Sequence, residues 1–375
     1  MIIACDVETM KGEGRVALMP QSAKELVANG TEVLVVKSTG VKSGFGNMTY
    51  KDAGAIITSR DSAWNLADLV VRVKQPLPED FRYFRYGKMI ACFSHLAINQ
   101  PLMEYALKTG VTLIDYGTIQ REDGSTHILA AMSKIAGKQA VVTGEYLLEK
   151  HRGKILGPET NAAIIGMGNA GLVAAERILA AGAHLFCFDK NPAALTRTQN
   201  LFQQFSPYQV WYLTYDHNNP SDQRRLAEIL TSTDLLIGCT HEVGRHTGKP
   251  VSTRMIEGMP RSSIAVDISI DMGGCFESSS YFFETGKQHF VRYGVRHVCE
   301  PNMPGRVPKI STPELCNQTL PYLKEITQKG FARAVHENSA LAKGVNTYKG
   351  WITHAGLAKS VGREGRYKPL SELLN

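Results

Sequence analysis

The chain has no cysteine pair spaced as C-x-x-C, no run of basic residues longer than the Arg224-Arg225 pair, no low-complexity linker and no internal repeat. Its seven cysteines (Cys5, Cys92, Cys187, Cys239, Cys275, Cys299 and Cys316) are odd in number, widely spaced and set mostly in apolar stretches. They read as buried reduced thiols, which excludes a disulfide scaffold, and no metal site is expected. The 42 basic residues against 35 acidic ones give a formal charge of +7, but the basic ones are scattered. No nucleic-acid partner is expected from such a pattern; a mild positive field suits solubility or small anionic substrates. Long apolar runs are missing as well: the most apolar segment, residues 162 to 183, is broken by Asn169, Glu176 and Arg177. The opening MIIACDVETMKGE lacks a basic leader followed by a long apolar stretch, so the expectation is a cytoplasmic protein without a membrane span.

What is there points to an ordinary folded enzyme. Apolar residues make up 43% and charged residues 21%, far from disordered or collagenous composition. At 375 residues the chain exceeds the length at which one hydrophobic core stops growing, so two domains are expected.

Before residue 120 short β-branched runs alternate with helix-like stretches: IIACDV, SAKELVANG, TEVLVVKS, ADLVVRVKQ, GKMIACFSHLA, PLMEYALKTG and VTLIDYG. This is the rhythm of a parallel sheet. Residues 133 to 151 have helical spacing, with Ser133 placed to cap the start. A second β-α-β series runs from Asn161 through AAIIG, HLFCFD, VWYLTY, TDLLIGCT and SSIAVDISI, and the tail beyond about residue 304 returns to helices.

Gly166, Gly168 and Gly171 in G-M-G-N-A-G lie between a strand-like and a helix-like run, the context that a dinucleotide fingerprint requires. The first glycine makes the turn, the second lets backbone approach a pyrophosphate, and the third lets helix and strand touch. Asp189 ends the next strand, where a carboxylate accepts bonds from the adenine ribose hydroxyls and favours NAD over NADP. A strand-end aspartate that only caps the following loop is the plainer alternative.

Three charged groups precede that turn beside apolar runs. Arg15 follows a Gly-rich loop, Lys74 ends the strand ADLVVRVK ahead of two prolines, and His95 closes MIACFSHLA. Strand ends of this kind face the cleft of open α/β sheets. Taken singly, Arg15 also fits a surface arginine, Lys74 a solvated lysine and His95 a hydrogen-bonded core histidine. Asp267 and Asp271 in VDISIDMGGC end the last strand of the nucleotide series; Asp271 is the better candidate for a functional acid, since Gly273 and Gly274 give its loop room.

The order of these features and their surrounding words resemble one family, alanine dehydrogenase, which shares its fold with the NAD-binding subunit of proton-translocating transhydrogenase. The words are GRVALMP, VKSGFGNMTYKDAGA, VRVKQPLPED, FSHLA, MSKIAG, IIGMGNAG, CFDKN, DLLIGC, VDISIDMGGCFE, PNMPGRVPKIST and ALAKGVNTY, spanning nearly the whole chain. The resemblance implies an α/β protein of two Rossmann-like domains, the nucleotide domain inserted into a discontinuous substrate domain. Residues 1–130 and 304–375 would form the substrate domain and 131–303 the NAD domain, with the cleft between them. It implies that Arg15 and Lys74 bind a 2-oxo acid, one at its carboxylate and the other at its carbonyl oxygen, and that His95 and Asp271 form the catalytic pair. It places Ser133, Gly166, Gly168, Ala170, Gly171, Asp189, Thr240, Ile268, Asn302 and Met303 along the cofactor. The implied reaction is reversible oxidative deamination of L-alanine to pyruvate with hydride transfer to NAD, in a homo-oligomer, hexamer or dimer, acting on small molecules. The chain departs from the family at Glu300-Pro301-Asn302-Met303-Pro304, at Arg306, at Tyr116-Gly117-Thr118, which lacks a usual glutamate, at Lys134, and in the loop of residues 240 to 250. Those departures leave open a relative acting on another amino or imino acid. A transhydrogenase-type NAD(H)-binding subunit and a non-catalytic nucleotide-binding protein are the further alternatives.

Overall fold

The apolar runs become strands of two separate sheets in a computed structural model that describes residues 1–205, 209–240, 248–280 and 289–374. The chain divides into two compact units, residues 1–132 with 304–374, and residues 133–240 with 248–303. A 26-residue helix, His127–Arg152, carries the chain from the first unit into the second. Ser133 lies inside that helix and does not cap it. The first intrahelical bond already runs from Ala130 N–H to the Thr126 carbonyl, because the good helix formers between them extend the helix toward its N-terminus.

In the first unit six parallel strands are β1 (Ile2–Cys5), β2 (Glu32–Val36), β3 (Ile56–Thr58), β4 (Leu69–Lys74), β5 (Met89–Phe93) and β6 (Thr112–Asp115). Their order across the sheet is β3-β2-β1-β4-β5-β6. The chain therefore winds outward from β1 in one direction and then from β4 in the other, and the crevice opens where the direction reverses. β4 is buried at every position, which is why it reads as a continuous apolar run without alternation.

The tail is not all helical. Val345–Tyr348 pairs antiparallel with β6 and with Trp351–Ile352, extending the first sheet. The two strands meet at a two-residue turn, Lys349-Gly350, in which both residues have positive φ (49° and 84°), the signature of a type I′ hairpin. Tyr293-Gly294 repeats this at φ 56° and 78° between Phe290–Arg292 and Val295–Val298.

The second unit repeats the winding. Its central strands are β7 (Asn161–Ile165), β8 (His184–Asp189), β9 (Val210–Thr214), β10 (Leu235–Gly238) and β11 (Ile264–Asp267), followed by β12 (Phe290–Arg292) and β13 (Val295–Val298). The order is β12-β13-β11-β10-β7-β8-β9, with only β12 antiparallel. β11 ends at Asp267, so it is neither the last strand nor long enough to include Asp271; the chain tightens instead into a 3-10 turn, Ile268–Met272. The Asp267 side chain causes this by accepting from Ser269 N–H and drawing the backbone out of the ladder. Successive β7 residues serve two cores: Ile164 packs under the long helix and the helix Asn169–Ala180, and Ile165 under the helix Pro220–Leu230. All seven cysteines are buried and unpaired. Among the described residues no helix is long and apolar enough to cross a membrane.

Candidate active site

At the reversal point of the first sheet the loop after β1 meets the end of β4. Arg72, wholly buried inside β4, pairs with Asp80 at 2.6 Å and Asp6 at 3.2 Å, and Arg60 closes the box to Asp6 at 2.9 Å and Asp80 at 2.7 Å. Buried charges persist only when paired and hydrogen-bonded, and this box meets that condition. It anchors the strand end that carries Lys74, itself 5% exposed. Glu8 accepts from Val73 N–H at 2.5 Å and Lys74 N–H at 3.2 Å. Burial of its carboxyl raises its pKa to about 7 against the pull of Arg72, with Glu13 adding to the rise.

Arg15 turns inward, 3% exposed, and is gripped by Glu13. Nε donates to Oε1 at 2.9 Å, Nη2 to Oε2 at 2.6 Å, and the Arg15 backbone N–H to Oε1 at 2.8 Å. Burial by itself would raise the Glu13 pKa, but Arg15 and then Lys74 outweigh it and hold the carboxyl at about 2. Arg15 and Lys74 thus share the field of one carboxylate. The Arg15 loop is fastened to the tail of the chain by Val16 N–H, which donates to Thr312 Oγ1 at 3.1 Å, and to the segment after β2 by Ser43 Oγ, which donates to the Gly14 carbonyl at 2.9 Å. Gly14 admits no side chain, since a Cβ would lie 2.9 Å from the Gly305 carbonyl oxygen.

His95 leaves the neighbouring strand, two residues past the Lys74–Phe93 pairing of β4 and β5. It is half-buried, its ring stacks on Phe93 with centroids 6.4 Å apart, and its φ is +48°. A non-glycine residue held there stores about 1–3 kcal/mol of strain, which collects where geometry serves function. Arg15, Lys74 and His95 therefore share the carboxyl end of one sheet.

In the second unit the glycine turn sits at the corresponding reversal, between β7 and β10. Gly166 has φ +100°, and a Cβ there would lie 2.9 Å from the Cys239 carbonyl carbon and 3.0 Å from Thr240 N. At Gly171 a Cβ would fall 2.1 Å from the Gly166 carbonyl oxygen. Each is glycine because backbone fills the space. Gly168 differs: a Cβ would meet nothing within 4 Å. It precedes the helix Asn169–Ala180, and no side chain caps its first N–H groups. Open space over a bare turn and an uncapped helix start fit a dinucleotide pyrophosphate.

Asp189 lies at the end of β8 and accepts from Met167 N–H at 2.7 Å and Asn191 N–H at 2.8 Å. It ties the glycine turn to β8 and to Asn191, which caps the helix Pro192–Leu201, so the plain structural role is real. Two carboxylate oxygens offer about four acceptor positions in all, enough for the ribose hydroxyls as well. Ser269 Oγ donates to the Thr240 carbonyl at 2.5 Å, joining the loop after β10 to the 3-10 turn that carries Ile268 and the half-buried Asp271. Asp267 is a structural acid: it accepts from Ser269 N–H, Cys275 N–H (2.8 Å), Phe276 N–H and Ser279 Oγ (2.5 Å), and burial raises its pKa in spite of them. Asn302 is strained at φ +83°; Met303 and Ala170 have their side chains in the core, and Ser133 is half-buried. Of the departing loop 240 to 250, residues 241–247 lie outside the described residues. Sequence reasoning missed Glu8 and Glu13, although both flank Arg15 or its loop in ETMKGEGR.

Two doubly wound units, one with paired cations at its reversal and the other with a glycine turn and a strand-end acid, define a dinucleotide-binding α/β protein of the two-unit dehydrogenase type. Residues 4–136 match the alanine dehydrogenase/PNT N-terminal domain and residues 140–355 its C-terminal domain, and the chain belongs to that family. It is 36% identical over 373 residues to an alanine dehydrogenase of Staphylococcus haemolyticus, covering 97% of each chain. It is 34% identical to an alanine dehydrogenase 2 of Staphylococcus aureus, covering 100% of each. A solved L-alanine dehydrogenase superposes with a TM-score of 0.85 at 31% identity, covering 96% of this chain and 99% of that one. A transhydrogenase from Sinorhizobium meliloti shares the fold, with a TM-score of 0.79 at 22% identity over 94% of this chain and 100% of that one.

Proposed function

We propose that the chain is an NAD-dependent amino-acid dehydrogenase that converts L-alanine, NAD and water reversibly to pyruvate, ammonium, NADH and a proton. The observation that carries the reading is that Arg15 and Lys74 share the field of Glu13 and that His95 follows two residues past the Lys74–Phe93 pairing. The full-length likeness to alanine dehydrogenases supports the choice of substrate and cofactor.

Gly166, Gly168 and the uncapped start of the helix Asn169–Ala180 would hold a nicotinamide cofactor, which when bound would supply the acceptor for the Cα hydride of the amino acid. Everything else falls to side chains. Glu13 accepts from two of the five guanidinium N–H donors of Arg15 and fixes the plane of the fork; the substrate carboxylate takes others. Lys74 polarises the carbonyl oxygen of pyruvate in the reductive direction. Held this way, the substrate reacts from one orientation, which is the main contribution a protein makes when a cofactor carries the hard step. Water attacks the imine left by hydride loss, and His95 takes the proton that the water releases, as imidazole does near neutral pH. Asp271 orients the water or ammonia and offsets positive charge on the imine. Gly168 and the uncapped helix start hold the pyrophosphate, while Asp189 takes the ribose hydroxyls and disfavours a 2′-phosphate. The remaining cofactor positions are Ser133, Gly166, Ala170, Gly171, Thr240, Ile268, Asn302 and Met303. The same reading makes the enzyme a cytoplasmic homo-oligomer that acts on small molecules.

The test is a panel of 2-oxo acids supplied with ammonia and NADH, followed by NADH absorbance. Pyruvate is expected to give the highest kcat/KM. A different preferred oxo acid would assign the site to another amino acid, and no turnover of any would remove the dehydrogenase reading.

A further inference from the structure

The exit of β5 carries a side-chain clamp. β5 and β6 lie in register with Cys92 beside Asp115, and Tyr116 N–H donates to the Cys92 carbonyl at 3.0 Å. Past that rung the ladder gives way to the Asp115 side chain. Its Oδ2 accepts both from Ser94 N–H at 3.1 Å and from the Ser94 hydroxyl, and its Oδ1 accepts from Gly117 N–H at 2.7 Å. Ser94 is wholly buried and Asp115 is 6% exposed, so water does not substitute for these bonds.

Immediately downstream is His95 at φ +48°. Its carbonyl accepts from Ile98 N–H at 3.1 Å and Asn99 N–H at 3.2 Å, and the Asn99 side chain caps the helix Gln100–Thr109. The strained residue is therefore fixed from both sides. The ring is backed in turn: Phe93 stacks on it, and Tyr116 meets Phe93 edge-on with centroids 5.5 Å apart.

We propose that Ser94 and Asp115 are positioning residues that hold the His95 backbone left-handed and so aim its imidazole at the substrate. The proposal rests on His95 exchanging protons in the dehydrogenase reaction. A lone N–H bond permits several backbone geometries; two donors of one residue on one oxygen do not. Gly117 belongs to the device, because a Cβ there would press within 3.1 Å of Asp115 Oδ1. The departure at Tyr116-Gly117-Thr118 thus makes room for the clamp. The titratable neighbours of Asp115 are Cys92 and His354, and Asp115 favours the charged form of His354 although burial outweighs it.

The test compares Ser94→Ala, Ser94→Thr and wild type in pyruvate reduction, and follows the His95 ring protons by NMR in the unliganded protein, assigned with His95→Gln. Ser94→Ala is expected to lower kcat roughly tenfold, with the pyruvate KM within about twofold, since Arg15 and Lys74 are untouched. The His95 resonance should move, and Ser94→Thr should restore both readouts. An unchanged kcat with an unmoved resonance overturns the proposal. So does a joint fall of kcat, affinity and melting temperature that Ser94→Thr does not rescue, the mark of a purely structural role. If wild type reduces no oxo acid yet the resonance moves in Ser94→Ala and returns in Ser94→Thr, the dehydrogenase reading fails and the clamp stands.

Discussion

The two reversal points have the same strand order and opposite furnishings. In the first unit the loop after β1 and the end of β4 are crowded with Asp6, Glu8, Glu13, Arg15, Arg72 and Lys74. In the second, the glycine turn after β7 leaves no room for side chains, to the point that a methyl group at Gly166 or Gly171 would strike backbone. One topology supplies the place, and loop composition decides whether side chains or backbone do the binding. A small oxo acid with two oxygen-bearing groups needs directed cations, whereas a pyrophosphate is better met by bare N–H groups at a helix start.

The sharpest way to break this comparison is to remove the proposed proton carrier from one side only. His95→Ala should lower kcat/KM for pyruvate by about 10²–10⁴-fold while the Kd for NADH, read by fluorescence titration, stays as in wild type. A parallel loss of NADH affinity would mean that the two roles are not divided between the loops as described.

The converse substitution is Asp189→Ala. Losing charge-assisted bonds to the ribose should weaken NADH binding roughly 10–100-fold and narrow the gap between NADH and NADPH. Retained discrimination in the same titrations would leave Asp189 with only its bonds to Met167 and Asn191. Gly171→Ala tests the bare turn itself. Its Cβ must displace the Gly166 carbonyl, so the variant should lose about 1–3 kcal/mol in chemical denaturation, with weaker NADH binding.

Much of this layout was legible in advance, and for identifiable reasons. β4, β7, β10 and β11 are buried on both faces and so stand out as short apolar runs. The glycines announced their turn because no other residue fits it. The hairpins at Lys349-Gly350 and Tyr293-Gly294 escaped notice because their strands are two to four residues long, too short for a period to show. The long helix started earlier because its propensity runs on past Ser133, and β11 ended early because the Asp267 side chain drew the backbone out of the ladder. Ser94 and Asp115 were invisible as a pair because 21 residues separate them and only strand register brings them together.

The smallest expected effect is an acid sensitivity of the second unit. His297, buried in the second unit between Ser278 Oγ at 2.7 Å and the Val295 carbonyl at 3.1 Å, has its pKa lowered from 6.5 to about 4, chiefly by burial. A histidine kept neutral by folding contributes stability above its unfolded pKa, and that contribution drains away as pH falls through the folded value. The melting temperature should therefore decline from about pH 6.5 to about pH 4, and His297→Asn should flatten that slope. An unchanged slope would place the acid sensitivity elsewhere.

The central claim is that the strand-end cations of the first unit grip the oxo acid, and a crystal structure of the chain with pyruvate and NADH tests it most directly. The expected result is the pyruvate carboxylate on the Arg15 guanidinium, its carbonyl oxygen on Lys74 Nζ, and His95 within hydrogen-bond reach of the keto group. Pyruvate bound away from all three would contradict it.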